Sequence, residues 1–282
     1  MHIAVLMTCH NRREKTLNAL ASLDRQHGLP SGLTITVHLV DAGSTDGTVE
    51  AVIKDFPDVD ITTVGDDVFW GEGMRIASHR SRDFDYQLWL NDDVSLADDA
   101  LSMLLDTSHY AADAAVVVGA MCSSDGKTTT YSGVRRRTGM PWTPRYMWTA
   151  LLEPRGYPQP LDTCCGNLVL VPRSVYRKIG GIDSRFPHSM GDWDFGLRAR
   201  KAGFRVYLAP RHAGVCDTGV RNIGWSWEPG IGVREALRRK TSKREFPFGP
   251  YRTYCLRHHW PWAPLTMLSP YVKTAVRALR EP

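Results

Sequence analysis

The 282-residue chain lacks most of the signatures that assign a protein to a specialised class. It contains no run of about 20 apolar residues, so nothing in it reads as a membrane-spanning helix. Its six cysteines (Cys9, Cys122, Cys164, Cys165, Cys216 and Cys255) show no CxxC spacing and no ladder, which argues against a zinc ribbon, a redox dithiol or a disulfide framework. The chain opens on a strand-like apolar run and not on a leader peptide. Free thiols and no leader favour a reducing, cytoplasmic setting. Internal repeats and low-complexity tracts are missing too. So are zinc-finger spacing, a helix-turn-helix cue and an RNA-binding signature, which argues against nucleic acid as a partner.

What is present is an ordinary globular composition, 43% hydrophobic and 23% charged, enough to bury a sizeable core. Nine tryptophans are many; the plain explanation is a Trp-rich core, the alternative a set of flat walls for sugars or bases. The net charge of +5 conceals an asymmetry. From Lys201 onward there are 15 Lys and Arg against 5 Asp and Glu, so the first 200 residues are net acidic. A basic end on an acidic body fits contact with something anionic, such as a phosphorylated substrate or a membrane surface.

Hydrophobic patterning predicts strands over His2–Met7, Thr34–Val40, Ile61–Val64 and Tyr86–Leu90, with helical segments between them. The stretch Phe69-Trp70-Gly71-Glu72-Gly73 reads as a Gly-containing loop before a helix from Met74 to Arg82. Strands alternating with helices every ~25 residues predict a mainly parallel sheet covered by helices. In such sheets ligands sit beyond the carboxyl ends of the strands. Three strands end in polar clusters, Thr8 to Arg12, Asp41 to Asp46 and Asn91 to Asp93, which should converge on one edge.

The cluster Asn91-Asp92-Asp93 has two interpretations. It is a hard-oxygen site for Mg²⁺ or Mn²⁺, or a turn in which an Asp caps the next helix. If the strand continues, alternation puts Asn91 and Asp93 on one side and Asp92 on the other.

The second half predicts strands at Ala114–Ala120, Leu168–Val171 and Val206–Ala209, a hairpin turn at Ser123–Lys127, and a helix near Arg173–Ile179 ending at Gly180-Gly181. Residues Arg135 to Pro160 are loop-rich, with Trp142, Tyr146 and Trp148 suited to a substrate-covering loop. A helix opens near Gly191-Asp192-Trp193-Asp194, where Asp194 is spaced to pair with Arg198 and Asp192 could cap. From Val233 the chain is basic and helical. Its end, with Trp260, Trp262, Lys273, Arg277 and Arg280, fits either a helix packed on the body or an element touching a bilayer from one side.

Five motifs, in order, resemble those of the family 2 glycosyltransferases over roughly residues 3 to 218. They are Met7-Thr8-Cys9-His10-Asn11-Arg12, Val40-Asp41-Ala42-Gly43-Ser44-Thr45-Asp46-Gly47-Thr48, Asn91-Asp92-Asp93, Gly166-Asn167, and Gly191-Asp192-Trp193-Asp194-Phe195-Gly196-Leu197-Arg198-Ala199. The resemblance implies an α/β GT-A fold, a Rossmann-like mainly parallel sheet flanked by helices. It divides the chain into a catalytic domain, 1–220, and a basic, aromatic-rich helical extension, 221–282. Within the catalytic domain, 1–95 would bind nucleotide sugar and 96–220 the acceptor.

The resemblance also implies roles. Asp192 would be the general base of an inverting transfer. Thr8, Asn11, Arg12, Asp41, Ser44, Trp70, Gly71 and Asp92 would surround a UDP- or dTDP-linked sugar, and Asp93 would hold Mg²⁺ or Mn²⁺ on its diphosphate. Gly166, Asn167, His188 and Trp193 would face a saccharide or lipid-linked saccharide acceptor in cell-envelope polysaccharide synthesis. The last ~60 residues resemble the tails of bacterial surface-polysaccharide and rhamnosyl transferases of this family, which implies a cytoplasmic protein peripheral to the inner face of the plasma membrane.

Two departures stand out. Asn91 takes the first place of the family's DxD motif. The family's His after the last strand has no clear counterpart, since His212 lies early and Cys216 or Asp217 holds the comparable place. Two other functions fit a similar sheet. A sugar nucleotidyltransferase should carry glycine in its first loop, and Thr8–Arg13 has none; an inactive glycan- or membrane-binding module is favoured by Asn91 alone.

Overall fold

A computed structural model describes residues 1–135, 151–217, 230–243 and 245–280. Trp142, Tyr146 and Trp148 lie outside these residues. The first four apolar runs form β1 (His2–Cys9), β2 (Thr34–Ala42), β3 (Asp60–Val64) and β4 (Tyr86–Leu90). They pair side by side in the order β3-β2-β1-β4, all parallel, with Cys9 level with Asp41. A parallel arrangement forces the carboxyl ends of β1, β2 and β4 onto one edge.

The sheet continues with β5 (Ser95–Leu96), β6 (Ala115–Cys122), β7 (Thr129–Tyr131), β9 (Gln159–Pro160), β11 (Leu168–Pro172) and β12 (Arg205–Val215). The remaining strands, β8 (Gly133–Val134) and β10 (Thr163–Cys164), form a separate antiparallel pair. Strand β11 runs antiparallel between β4 and β6, and β12 returns parallel to β6. This insertion joins the two halves into one sheet, in the order β3-β2-β1-β4-β11-β6-β12-β5.

Both faces are covered. Leu88 and Leu90 of β4 share one apolar cluster with Val5, Met7, and residues of α1 (Arg13–Asp24), α2 (Thr48–Asp55) and α4 (Ala100–Tyr110). Trp89, pointing the other way, packs with Leu6, Val169, and residues of α3 (Trp70–Arg80), α5 (Arg173–Ile179) and α6 (Gly191–Lys201). A strand buried on both faces reads as a continuous apolar run, which is why Leu88-Trp89-Leu90 shows no alternation.

Two local expectations are corrected, and one is met. Helix α3 starts at Trp70, so Gly71 and Gly73 are helical and not in a loop. Crowding explains them: a Cβ on Gly71 would lie 2.3 Å from the Phe186 carbonyl oxygen, and one on Gly73 would lie 2.6 Å from Thr8 Cγ2. The strand expected at Val206–Ala209 runs on to Val215, with register shifts around His212 where a bulge absorbs extra residues. Strand β4 stops at Leu90, as expected, and Val94 N–H donates to the Asn91 carbonyl at 3.3 Å, closing a turn.

Beyond the sheet, α7 (Val233–Lys240), α8 (Phe248–His258) and α9 (Ala263–Arg280) form the C-terminal layer. Phe186, Met190 and Leu197 of the α6 region meet Tyr251, Tyr254 and Cys255 of α8 and Ala263 of α9 in a third apolar cluster. At its edge, Asp194 forms the expected ion pair with Arg198 (2.6 Å) and adds Arg257 (2.6 Å) and His258 (2.9 Å) from α8. Among the described residues no helix is long and apolar enough to cross a membrane.

Candidate active site

A cavity of about 810 Å³ opens at the carboxyl edge of β1, β2 and β4. Its size suits a ligand larger than a simple metabolite. Thr8, Arg12, Trp70, Asn91, Asp92 and Asp93 line it together with Gly166, Asn167, His188, Asp192 and Trp193.

The carboxylates of Asp92 and Asp93 do not point apart, as a continued strand would require. The turn after Leu90 swings both toward Arg12, whose Nη1 donates to Asp92 Oδ1 at 3.0 Å and to Asp93 Oδ2 at 3.1 Å. Burial pushes the Asp92 carboxyl up to about 6; the Arg12 charge opposes this and the Asp93 charge reinforces it. Burial works against the Arg12 guanidinium, yet the two carboxylates hold its pKa above the ordinary value. The remaining oxygen of Asp93, Oδ1, is buried without a hydrogen-bond partner.

Asn91 does not aim its amide oxygen at that cluster. Its Oδ1 accepts from Trp70 Nε1 at 2.8 Å, and its N–H donates to the Asn167 carbonyl at 3.0 Å. Trp70 in turn lies against Gly166, where a Cβ would come within 2.4 Å of the ring. The first position of the motif thus ties Trp70 and the Gly166–Asn167 segment together.

Asp192 is the second helical residue of α6, which begins at Gly191 without a side-chain cap, so Asp192 does not cap the helix. Its carboxylate lines the cavity and is oriented by two backbone donors, Gly166 N–H to Oδ2 (2.9 Å) and Trp193 N–H to Oδ1 (2.8 Å). Burial raises its carboxyl to about 6 even though both hydrogen bonds favour the charged form. A carboxylate so poised accepts a proton near neutral pH.

Four of the expected nucleotide contacts, Asn11, Asp41, Ser44 and Gly71, are not among the residues that line the cavity. Asp41 is fully buried and accepts from Cys9 Sγ (3.4 Å) and Ser44 N–H (3.1 Å). Asn11, at a positive φ of 51°, accepts from Thr45 N–H at 2.8 Å and donates its own N–H to Ser44 Oγ at 2.9 Å, tying two loops together. Gly71 packs under Phe186 and Pro187. Conversely, His10, Phe69, Tyr131, Cys165 and the pair Glu245 and Phe246 line the cavity without having been anticipated. The last two come from the C-terminal layer, more than fifty residues beyond Asp192, and carry no local signal.

The three candidates after the last strand take different positions. His212 bonds Thr129 Oγ1 at 2.8 Å within the sheet, and Asp217 accepts from Ser124 N–H at 2.8 Å in the hairpin turn. Cys216 is the residue beside the acidic cluster: burial first, and then the Asp93 charge, push its thiol up to about 12.

This sheet order and the cavity at its switch point define a GT-A glycosyltransferase fold. Solved structures agree: a Pyrobaculum calidifontis mannosyltransferase with GDP-Man and Mn²⁺ is similar to 99% of the chain over 74% of its own (TM-score 0.56, 16% identity). Staphylococcus aureus TarS with UDP matches 99% of the chain and 71% of its own at TM-score 0.56 and 12% identity. The chain belongs to glycosyl transferase family 2, whose model matches residues 4–180. A curated relative, the N-acetylglucosaminyl-diphospho-decaprenol L-rhamnosyltransferase of Mycobacterium tuberculosis, is 28% identical over 201 residues. That match covers 62% of this chain and 64% of the relative.

Proposed function

We propose that the protein transfers a sugar, with inversion, from a nucleoside-diphosphate sugar to a saccharide or lipid-linked saccharide acceptor in cell-surface polysaccharide synthesis. The observation that carries this is Asp192, a cavity-facing carboxylate with two backbone donors and a raised pKa, sharing one cavity with Asp92, Asp93 and Arg12. The M. tuberculosis relative, whose name gives it rhamnosyl transfer onto a diphospho-decaprenol carrier, supports a deoxyhexose donor and a lipid-linked acceptor.

In the proposed reaction the acceptor hydroxyl attacks the anomeric carbon as its proton passes to the Asp192 carboxylate. A new C–O bond forms, and the bond to the nucleoside diphosphate breaks with the electron pair leaving on phosphate oxygen. One displacement from the face opposite the leaving group inverts the centre, and no covalent enzyme intermediate is needed. Arg12 contributes positive charge where the diphosphate would lie.

A divalent ion fits this chemistry. The buried, unpartnered Oδ1 of Asp93 is a hard ligand, and Asp92 lies beside it. Among the described residues no group of three or more His, Cys, Asp or Glu could hold a metal alone. Asp93 would therefore share a Mg²⁺ or Mn²⁺ with donor phosphate and water, the usual manner for such ions. When bound, the ion would stabilise negative charge on the leaving diphosphate.

The direct test is a panel of UDP-, dTDP- and GDP-sugars with Mn²⁺, in which one donor should bind and hydrolyse slowly. If none binds or hydrolyses, the proposal fails. Asp93→Ala should raise the Mn²⁺ concentration needed for half-maximal donor binding by ~10-fold or more, since even an outer partner of a metal ligand is worth that much. An unchanged Mn²⁺ titration removes Asp93 as a ligand.

The pH profile follows from Asp192. Only its ionised form accepts a proton, and its pKa is raised to about 6, so kcat/KM should climb with pH through about 6 and level off above it. Initial rates across the acid range measure this. An acid limb near ~4, the ordinary carboxylate value, would detach the limb from Asp192.

A further inference from the structure

Helix α9 packs on the body through one face only. Ala263, Thr266 and Ala278 are buried, Met267 joins the apolar cluster shared with α8, and Tyr271 donates its hydroxyl to the Phe246 carbonyl at 2.8 Å. On the opposite side stand Leu265, Leu268, Val272, Val276 and Leu279, exposed by 56, 55, 57, 39 and 71%. Their spacing of three, four, four and three residues confines them to about 80° of arc at 100° per residue. By that geometry the stripe runs about 21 Å along the helix, on both sides of Pro270. Water-facing aliphatic rows of this length are unusual on a monomeric protein and mark an interaction surface.

Charge identifies the occupant. Helix α9 contains no Asp or Glu, and Lys273, Arg277 and Arg280 are exposed along one flank of the stripe. Trp260, 73% exposed, stands just before the helix. An aliphatic row bordered by cations and preceded by an exposed indole matches the interface of a bilayer with anionic headgroups. A second copy of the chain would bring the cations of two such helices together without an acidic residue on either helix to offset them. The helix is too polar to span.

We propose that α9 docks the protein in the plane of an anionic membrane, with Leu268, Val272 and Leu279 in the headgroup–acyl boundary and Lys273, Arg277 and Arg280 on the headgroups. This goes beyond the catalytic proposal and does not depend on it.

The test is cosedimentation of the full chain with vesicles of phosphatidylcholine alone or mixed with phosphatidylglycerol. Binding is expected to the mixed vesicles at low salt and to weaken with added salt. Lys273→Gln, Arg277→Gln and Arg280→Gln together should weaken it roughly 100-fold, each cation being worth about fivefold near such a surface. Leu268→Ser, Val272→Ser and Leu279→Ser together should abolish it while leaving the thermal melt and donor binding unchanged. No binding of the unaltered chain at low salt overturns the proposal. So does a concentration-dependent dimer that the serine variant dissolves, because the stripe would then belong to a second copy.

Discussion

Asp192→Asn is expected to bind donor normally and to transfer sugar at least ~100-fold more slowly, the typical worth of a positioned general base. Asparagine keeps the shape of the side chain but cannot take the acceptor proton. The substitution also has a structural cost. Both carboxylate oxygens accept backbone N–H groups, from Gly166 and Trp193, and an amide offers only one oxygen. One donor then loses its partner, at about 1–3 kcal/mol. Turnover must therefore be compared on protein shown to be folded, with donor affinity measured alongside. The Asp192 share of the acid limb near pH 6 should vanish in the residual rate, leaving that of Asp92, whose carboxyl is also raised to about 6. Near-normal turnover would reduce Asp192 to a residue that orders the start of α6.

Asp194→Ala is expected to be the most destabilising single change at this end of the molecule. Asp194 is fully buried and answers three groups at once, Arg198 on its own helix and Arg257 and His258 on α8. Burial alone would raise its carboxyl, but the hydrogen bonds from His258 and Arg198 and the two arginine charges outweigh it, and it titrates below the usual range. Removing the one carboxylate leaves two guanidinium groups facing each other with little water. Breaking a buried ion pair from one side costs about 3–5 kcal/mol. For a chain of this size that lowers Tm by roughly 6–20 °C, read by thermal unfolding. The arrangement should also fail on acidification. Its carboxyl pKa is depressed in the fold, so the stability it supplies is present above the ordinary carboxylate value of ~4 and is lost as pH falls through the lower folded value. A melt unchanged from that of the parent protein would show that α8 is held by its apolar contacts alone.

These two aspartates differ by two positions in one helix, and α6 presents them to different surroundings. Asp192 faces the cavity and meets only neutral backbone donors, so burial dominates and its pKa rises. Asp194 faces α8 and meets cations, so its pKa falls. Spacing anticipated the Asp194–Arg198 pair, because residues four apart on a helix are neighbours. Nothing local foretold Arg257 or His258, which arrive from more than sixty residues away.

The same division runs through the whole site. By itself the sequence determined the α/β pattern, the three polar strand ends and their meeting on one edge. Apolar runs of strand length and parallel pairing leave few other arrangements. Asp92 and Asp93 were legible as candidates for that reason, since they follow a strand at that edge, whereas Asp192 was a candidate through the family resemblance, its place at the start of a helix fitting a cap equally well. The tertiary structure alone decided how they are used. The turn at Asn91–Val94 ends the pleat, so alternation could not report that Asp92 and Asp93 both face Arg12. The hydrogen bonds that join the loop of Asn11 to that of Asp41 and Ser44 link segments more than thirty residues apart, which no local pattern reports. Glycines at 71 and 73 looked like a loop because conformational freedom and lack of room leave the same letter in a sequence, and only packing tells them apart. Whether α9 leaves its second apolar face open was likewise a matter of which side the body occupies, a long-range fact that a helical period cannot contain.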